Sequence, residues 1–500
     1  MSTKAEVTRE NSTTRQRHDQ GRLAATRTAL TAWLSRPLAS FHLLLAVFGL
    51  LTVIGLAMVL SASSVESYKS GHSVYTLFKK QVLFVLLGAV LCWVALRLKL
   101  SLVRRLAGPM ILLSVALLAA VLVVGKTSGG STGWFAIPGL GFQLQPVEFA
   151  KLSLAVWGAH VLVTKKALLH QFRHLIVPLL PVTMLLSALL MLQPDLGSTV
   201  SMLTVTVALL WFAGAPGKLF GAMIAGGIVG LVVLATGASY RLARVRSFLH
   251  PGNDPSGASY QALQAKYALA DGGLFGRGLG QGSAKWNYLP NLHTDFIFAL
   301  IGQELGLLGA LLVLALYAMV AIVGLRIAAR NVDPFMRLLA GSLTVWIVSQ
   351  AAINIGYVVN LLPVTGLTLP MISYGGTSIV TTMIVFGLLA NCARHEPEAV
   401  SALRTQGPGR FGKLLWLPAP EPYHPPARRK GGRPSSPPRP GGRGGASGMR
   451  QDRRYPPQSV RPGHDYRRSQ PRRMAEPVRG GGSRQPARPP YGRATGVGRR

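Results

Sequence analysis

The chain has 500 residues, of which 49% are hydrophobic, with a mean hydropathy of +0.34. Only 14% are charged, against about a quarter in ordinary soluble domains, and this excludes a soluble globular fold. Lys and Arg number 53 against 17 Asp and Glu, and Cys92 and Cys392 stand alone in apolar runs, so neither a disulfide framework nor a thiolate metal cluster is expected. The HExxH, CxxC and Walker A patterns are all missing, which removes several of the commonest soluble enzyme classes.

In chain order, residues 1–40 are polar and modestly basic and lack an apolar region beside a cleavage site, so they are expected to remain as a cytoplasmic arm. Apolar runs long enough to cross a bilayer then recur at about 41–62, 80–97, 108–125, 147–164, 175–192, 197–213, 219–237, 294–325, 337–359 and 375–394. These predict an all-α polytopic membrane protein of about ten transmembrane helices, with a membrane domain over 41–396. Arg97, Lys99, Arg104 and Arg105, then Lys165, Lys166 and Arg173, then Arg326, Arg330 and Arg337 fall in alternate short loops, which places both termini in the cytoplasm. The segment 238–293, between the seventh and eighth helices, becomes a large extracytoplasmic loop. It carries Arg241, Arg244, Arg246, Lys266, Arg277 and Lys285, against the usual charge bias, and its length partly excuses it. Residues 397–500 form a basic cytoplasmic tail rich in Pro, Gly and Arg; 401–500 hold 23 Lys and Arg against four carboxylates. Such a composition buries too little apolar surface to offset chain entropy, so the tail is expected to be disordered from about residue 400.

Residues 41–394 hold eight carboxylates: Glu66, Glu148, Asp195, Asp254, Asp271, Asp295, Glu304 and Asp333. An ionisable group within or beside a span is a functional candidate whose plain alternative is a structural pair. Glu148 and Lys151 are three apart on one helix face and suit a buried ion pair. Asp195 follows Pro194 at a helix break, where it fits either a cap of the sixth helix or a substrate contact. Asp295 heads a stripe of Ala299, Gly302, Gly306 and Ala310 at helical spacing, a seam for close helix approach. With Thr294 or His293 as cap, Asp295 would lie in the first turn of the eighth span, ionised and able to serve as a base, or as a mere helix-start acid. Glu304 falls on roughly the opposite face and is expected to pair elsewhere. GLFGRGLGQG (273–282) lacks GxGxxG spacing and reads as a loop with tight turns. PVTGLTLPMISYGGTS (363–378), which includes Ser373, reads as a broken stretch; at membrane depth such backbone is tolerated only where protein buries it or it lines a polar cavity.

GSTGWF (130–135), QPVEFAKL (145–152), LQPDLGST (192–199), the run 273–306 and PVTGLTLPMISYGGTS together resemble the hallmark motifs of the shape, elongation, division and sporulation family, in order over about 41–396. GLTLPMISYGG points to its division branch. Gln303 departs from the family, where a Glu usually precedes Glu304. The resemblance implies a multi-pass glycosyltransferase that polymerises lipid II, an undecaprenyl diphosphate carrying the peptidoglycan disaccharide-pentapeptide. It implies Asp295 as the catalytic residue, assigned as base toward the acceptor 4-hydroxyl, and a class B penicillin-binding protein as partner.

That chemistry suits the residues, because a diphosphate leaving group departs without a general acid if its charge is stabilised. Arg241, Arg246, Lys266 and Arg277 are candidate diphosphate contacts, with a solvated face or partner surface as the alternative, and Lys151 is placed to position the site from below. Glu148, Asp195 and Ser373 complete the candidate substrate contacts. A divalent cation, Mg or Mn, is compatible with a diphosphate, but the scattered acids show no ligand cluster, so no metal ligand is assigned. The basic tail suits acidic division proteins or anionic membrane lipid, or a solvated tether; nucleic acid is not expected. A lipid II flippase and a divisome scaffold are the rival readings.

Overall fold

The computed structural model of the chain describes residues 36–69, 71, 73–128, 131–136, 143–165, 172–236, 258–286, 289 and 291–423. Ten apolar helices account for the ten predicted spans: α1 (Ala39–Lys69), α2 (Thr76–Arg97), α3 (Leu100–Val124), α4 (Pro146–Thr164), α5 (Phe172–Leu192), α6 (Leu196–Phe212), α7 (Gly217–Thr236), α9 (Ile297–Arg330), α10 (Pro334–Val358) and α11 (Gly376–Arg394). Among the described residues seven of these, α1 to α4 and α9 to α11, are long and apolar enough to cross a membrane by themselves. The chain is therefore a multi-pass membrane protein. The centre of the bundle is legible from burial. Two thirds of the apolar window is buried in α4 and α10 (67%) and more in α11 (78%), against 28% in α2 and α3, whose exposed leucines and valines suit lipid.

The connections carry three features that the sequence did not indicate. Residues 131–135 of the GSTGWF motif fall in a small antiparallel sheet, in which β2 (Ser131–Ala136) pairs with β1 (Lys126–Ser128) and β3 (Gln143–Leu144). The segment 238–293, expected as loop, contains a 14-residue helix, α8 (Ala258–Asp271), which packs on α9 through Ala265 and Ala268. Residues 397–423, expected to begin a disordered tail, form α12 (Pro397–Thr405) and α13 (Arg410–Leu414). Here Ala399, Val400, Leu403 and Leu417 find apolar cover. The main chain is also tied back to the bundle by Trp93 Nε1 on Leu415 O (2.9 Å) and Arg394 Nη2 on Pro418 O (2.7 Å). The remaining tail and the N-terminal arm lie outside the described residues.

The eighth span is not one continuous helix. Gly306 (φ 71°, ψ −169°) interrupts α9, and an intact helix would have paired Leu307 N with Gln303 O and Leu308 N with Glu304 O. The glycine-rich loop takes over all four groups. Gly273 O accepts from Leu307 N (2.9 Å) and Leu274 O from Leu308 N (3.3 Å), while Arg277 N donates to Gln303 O (2.9 Å) and Gly278 N to Glu304 O (3.0 Å). Backbone groups at membrane depth must be satisfied within the protein, and the loop does this for the break. Gly276 and Gly306 both have positive φ, and a Cβ on either would collide with the other strand of this splice. The predicted small-residue seam exists, with Gly302 against Leu269 of α8, but the break at Gly306 divides it.

Candidate active site

Four helices begin at one end of the bundle and surround a cavity of about 770 Å³. Gln145 and Glu148 come from the start of α4, Asp195, Leu196 and Ser198 from the start of α6, and His293, Thr294 and Asp295 from the turn before α9. Gly375 to Ser378 come from the start of α11. Ser131, Trp134 and Gln143 of the sheet, Phe84 of α2, Gln261 of α8 and the non-helical residues 364–368 close the walls. Helix N-termini carry partial positive charge and unpaired N–H groups, so their convergence favours anions and ionised carboxylates. The stretch 363–378 is thus non-helical up to Gly375, beyond which α11 begins, and it is buried or half-buried apart from Gly366, as its glycines and prolines predict.

Asp295 lies on the cavity wall, half-buried, with Oδ2 beside Gly366: a Cβ there would lie 3.9 Å away. It does not occupy the first turn of a helix. Residues 291–296 form a turn in which Asn291 O accepts from Thr294 N (3.2 Å) and Asp295 N (3.0 Å), and α9 starts only at Ile297 without a side-chain cap. Asn291 takes a positive φ to make this turn, which starts the helix two residues later than a Thr294 cap would and three later than a His293 cap would. Three successive carbonyls of the turn are held by other elements. Tyr374 N donates to His293 O (2.9 Å), Ser373 Oγ to Thr294 O (2.5 Å), and Asn354 Nδ2 and Tyr357 OH both reach Asp295 O (2.9 Å each). Ser373 therefore contacts the backbone beside Asp295 and does not line the cavity.

Glu148 and Lys151 form a buried ion pair, Nζ to Oε1 2.9 Å, with Lys151 fully buried. Lys151 also donates to Gln350 Oε1 (3.0 Å) and sits over the Trp346 ring, 5.0 Å from its centroid. Gln350 passes the link on through Nε2 to Thr368 O (3.0 Å). Glu148 reaches the cavity wall and Lys151 supports it from behind. Asp195 caps α6, accepting from Ser198 N (2.9 Å), and also lines the cavity.

Of the other candidate cations, Lys266 and Arg277 are placed apart from this wall. Lys266 is exposed on α8, and Arg277 binds Asp271 through Nε (3.0 Å) and Nη2. The Arg277 guanidinium, with the Gln303 amide, holds the Asp271 carboxyl below the usual carboxylate range. Arg241 and Arg246 lie outside the described residues. Glu304 pairs elsewhere as expected: it accepts from Ser61 Oγ (2.6 Å), Gly280 N (3.0 Å) and Gly282 N (3.3 Å) and faces Lys285 (3.5 Å). GLFGRGLGQG is accordingly a tight-turned loop whose amides serve this carboxylate. Gln303, the departure from the family pattern, donates to Asp271 Oδ2 (2.9 Å) and Ser283 Oγ (2.8 Å) and accepts from Ala284 N (3.1 Å). The donation to Asp271 needs an amide; an ionised Glu could not make it. Among the described residues no three His, Cys, Asp or Glu are grouped to hold a metal ion.

Sequence reasoning passed over Gln350, Asn354 and Tyr357. Their signal was available as polar side chains at i, i+4 and i+7 inside an otherwise apolar span, which places them on one face of α10.

Residues 41–398 match the family model for FtsW, RodA and SpoVE, described as a cell cycle protein. A protein of Mycobacterium tuberculosis (strain ATCC 25618 / H37Rv), named probable peptidoglycan glycosyltransferase FtsW, is 51% identical over 405 residues, which cover 81% of this chain and 77% of that one. Stage V sporulation protein E of Bacillus subtilis (strain 168) is 37% identical over 350 residues, 69% of this chain and 95% of that one. Among solved structures, a chain of a peptidoglycan synthase complex that coordinates polymerization and crosslinking superposes with a TM-score of 0.59 at 27% identity, covering 73% of this chain and 99% of that one. The rod shape determining protein RodA of Thermus thermophilus gives 0.52 at 26% identity, with the same coverage. The motifs, the ten-helix bundle and these likenesses agree, and the chain belongs to the FtsW/RodA/SpoVE family of cell cycle proteins.

Proposed function

We propose that the chain is a peptidoglycan glycosyltransferase that polymerises lipid II during cell division, with Asp295 as general base. The observation that carries this reading is the position of Asp295: a carboxylate on the wall of a polar cavity where four helix N-termini converge at one end of a membrane bundle. In the proposed step Asp295 takes the proton of the acceptor sugar's 4-hydroxyl. The acceptor oxygen bonds to the anomeric carbon of the lipid-linked donor, and the bond from that carbon to the diphosphate breaks. The converging helix N-termini and their free amides suit the charge that develops on the leaving diphosphate. Arg241, Arg246, Lys266 and Arg277 remain proposed as diphosphate contacts, Glu148 and Asp195 as substrate contacts on the cavity wall, and Lys151 and Ser373 as residues that act from behind it. Placing both reacting sugars at a membrane end keeps their lipid anchors in the bilayer.

Under this reading the cavity faces outward, both termini are cytoplasmic, and the protein works at the division septum. Its natural partner is a crosslinking enzyme, a class B penicillin-binding protein; the superposed chain comes from a peptidoglycan synthase complex that coordinates polymerization and crosslinking, which supports this reading. The basic tail would serve other division proteins or anionic lipid. The test is polymer formation from purified lipid II in detergent, where there is no bilayer to cross. Long glycan is expected. Translocation of lipid II in vesicles with no polymer in detergent would favour a flippase, and division supported by an inactive chain would favour a scaffold.

A further inference from the structure

We propose that Asn354, Tyr357 and Ser373 are positioning residues for the reaction: together they fix the main chain of the turn that carries Asp295 and so set where its carboxylate points. The inference rests on the reading of Asp295 as the base. The turn over 291–296 is irregular, and its carbonyls at 293, 294 and 295 all accept from outside it, from Tyr374 N, Ser373 Oγ and the pair Asn354 and Tyr357. Asn354 and Tyr357 are fully buried one turn apart on α10. The same two side chains hold Leu367 O, at 2.7 and 2.6 Å, beside the Gly366 that approaches Asp295 Oδ2. The pair therefore ties the Asp295 turn to the adjoining cavity wall at residues 366–367.

A proton count makes the arrangement specific. Asn354 brings two N–H groups and Tyr357 one O–H, and the acceptors are Asp295 O, Leu367 O and the Tyr357 oxygen, which lies 2.6 Å from Nδ2. Three donors meet three acceptors. Two carbonyls flank one end of the amide, so that end must be the NH2, and among the described residues Oδ1 accepts nothing. Loss of the tyrosine hydroxyl leaves two amide N–H groups for two carbonyls, whereas loss of the amide leaves one O–H for both. The effects should therefore be unequal, with the asparagine dominant.

The test uses the full-length chain and purified lipid II, assayed well below the thermal midpoint of each variant. Asn354→Leu, close in volume but without donors, is expected to lower kcat about ten- to a hundredfold with KM within about twofold, since displacing a reacting group by about 1 Å costs this much. Tyr357→Phe is expected to lose no more than about threefold, because the amide can serve both carbonyls. Ser373→Ala, on the other side of the turn, keeps the proposal testable if Asn354→Leu does not fold, and should lower kcat about tenfold with KM kept. Unchanged kcat in Asn354→Leu or Ser373→Ala, a loss confined to KM, or Tyr357→Phe more damaging than Asn354→Leu would overturn the positioning role. Polymerisation retained by Asp295→Asn would instead overturn the assignment of the base.

Discussion

Asp295→Asn is expected to lower polymerisation of lipid II by about 10²–10⁴-fold, the range a positioned general base contributes, while the chain still folds and binds substrate. The substitution keeps the shape of the side chain and removes its capacity to accept a proton. Folding should be spared because the turn is held through main-chain oxygens: Asn354, Tyr357, Ser373 and Tyr374 bind the carbonyls of residues 293–295 whatever the side chain at 295. The loss should therefore fall on kcat. An equal loss in an Asp295→Ala chain that also unfolds early would carry no such meaning, so thermal midpoints in detergent accompany the rates.

The second large effect is on stability. Lys151→Met is expected to destabilise the chain by about 3–5 kcal/mol, the usual result of removing one member of a buried ion pair. Lys151 is fully buried, and it is the hydrogen-bond partner of Glu148 Oε1; Glu148 Oε2 has none among the described residues. Without the ammonium a buried carboxylate is left uncompensated, and Gln350 Oε1 keeps only the Trp346 indole N–H (3.0 Å). Glu148→Gln added to Lys151→Met removes the stranded charge, so the double variant should unfold at a higher temperature than the single one. Equal midpoints for the two would mean that the pair contributes no net electrostatic stabilisation.

The spans were legible because some twenty apolar residues in a row have few alternatives in water or lipid, and α1 to α7 and α9 to α11 stand where hydropathy places them. The broken stretch before α11 was legible from Pro363, Pro370 and its glycines, because such backbone can be housed at membrane depth only where protein buries it or it lines a cavity. The break in α9 was not. Gly306 continues a stripe of small residues at helical spacing, and nothing local distinguishes a packing glycine from one with positive φ. Only the four backbone groups supplied by residues 273–278 make the break tolerable, and they come from a loop whose docking is a tertiary fact.

The same limit applies to the cations. Lys266 and Arg277 were selected by charge and position in the outer segment, but charge does not say which way a side chain faces. Arg277 turns to Asp271, six residues before it. Glu148, Asp195 and Asp295 meet around one cavity because each lies at the N-terminal end of a helix, in its first turn or just before it, and these helices begin at the same end of the bundle. The alternation of spans contains that information. The support from Gln350, Asn354 and Tyr357 was written in the spacing of polar residues along α10, yet their targets are main-chain carbonyls, which no side-chain pattern reveals.

The most direct test of the account is a structure of the Asp295→Asn chain with two lipid-linked saccharides bound. The account places the acceptor 4-hydroxyl within about 2.6–3.2 Å of the residue-295 side chain, the reach a base requires. An acceptor hydroxyl held instead by Glu148 or Asp195, with residue 295 out of hydrogen-bonding range, would contradict it.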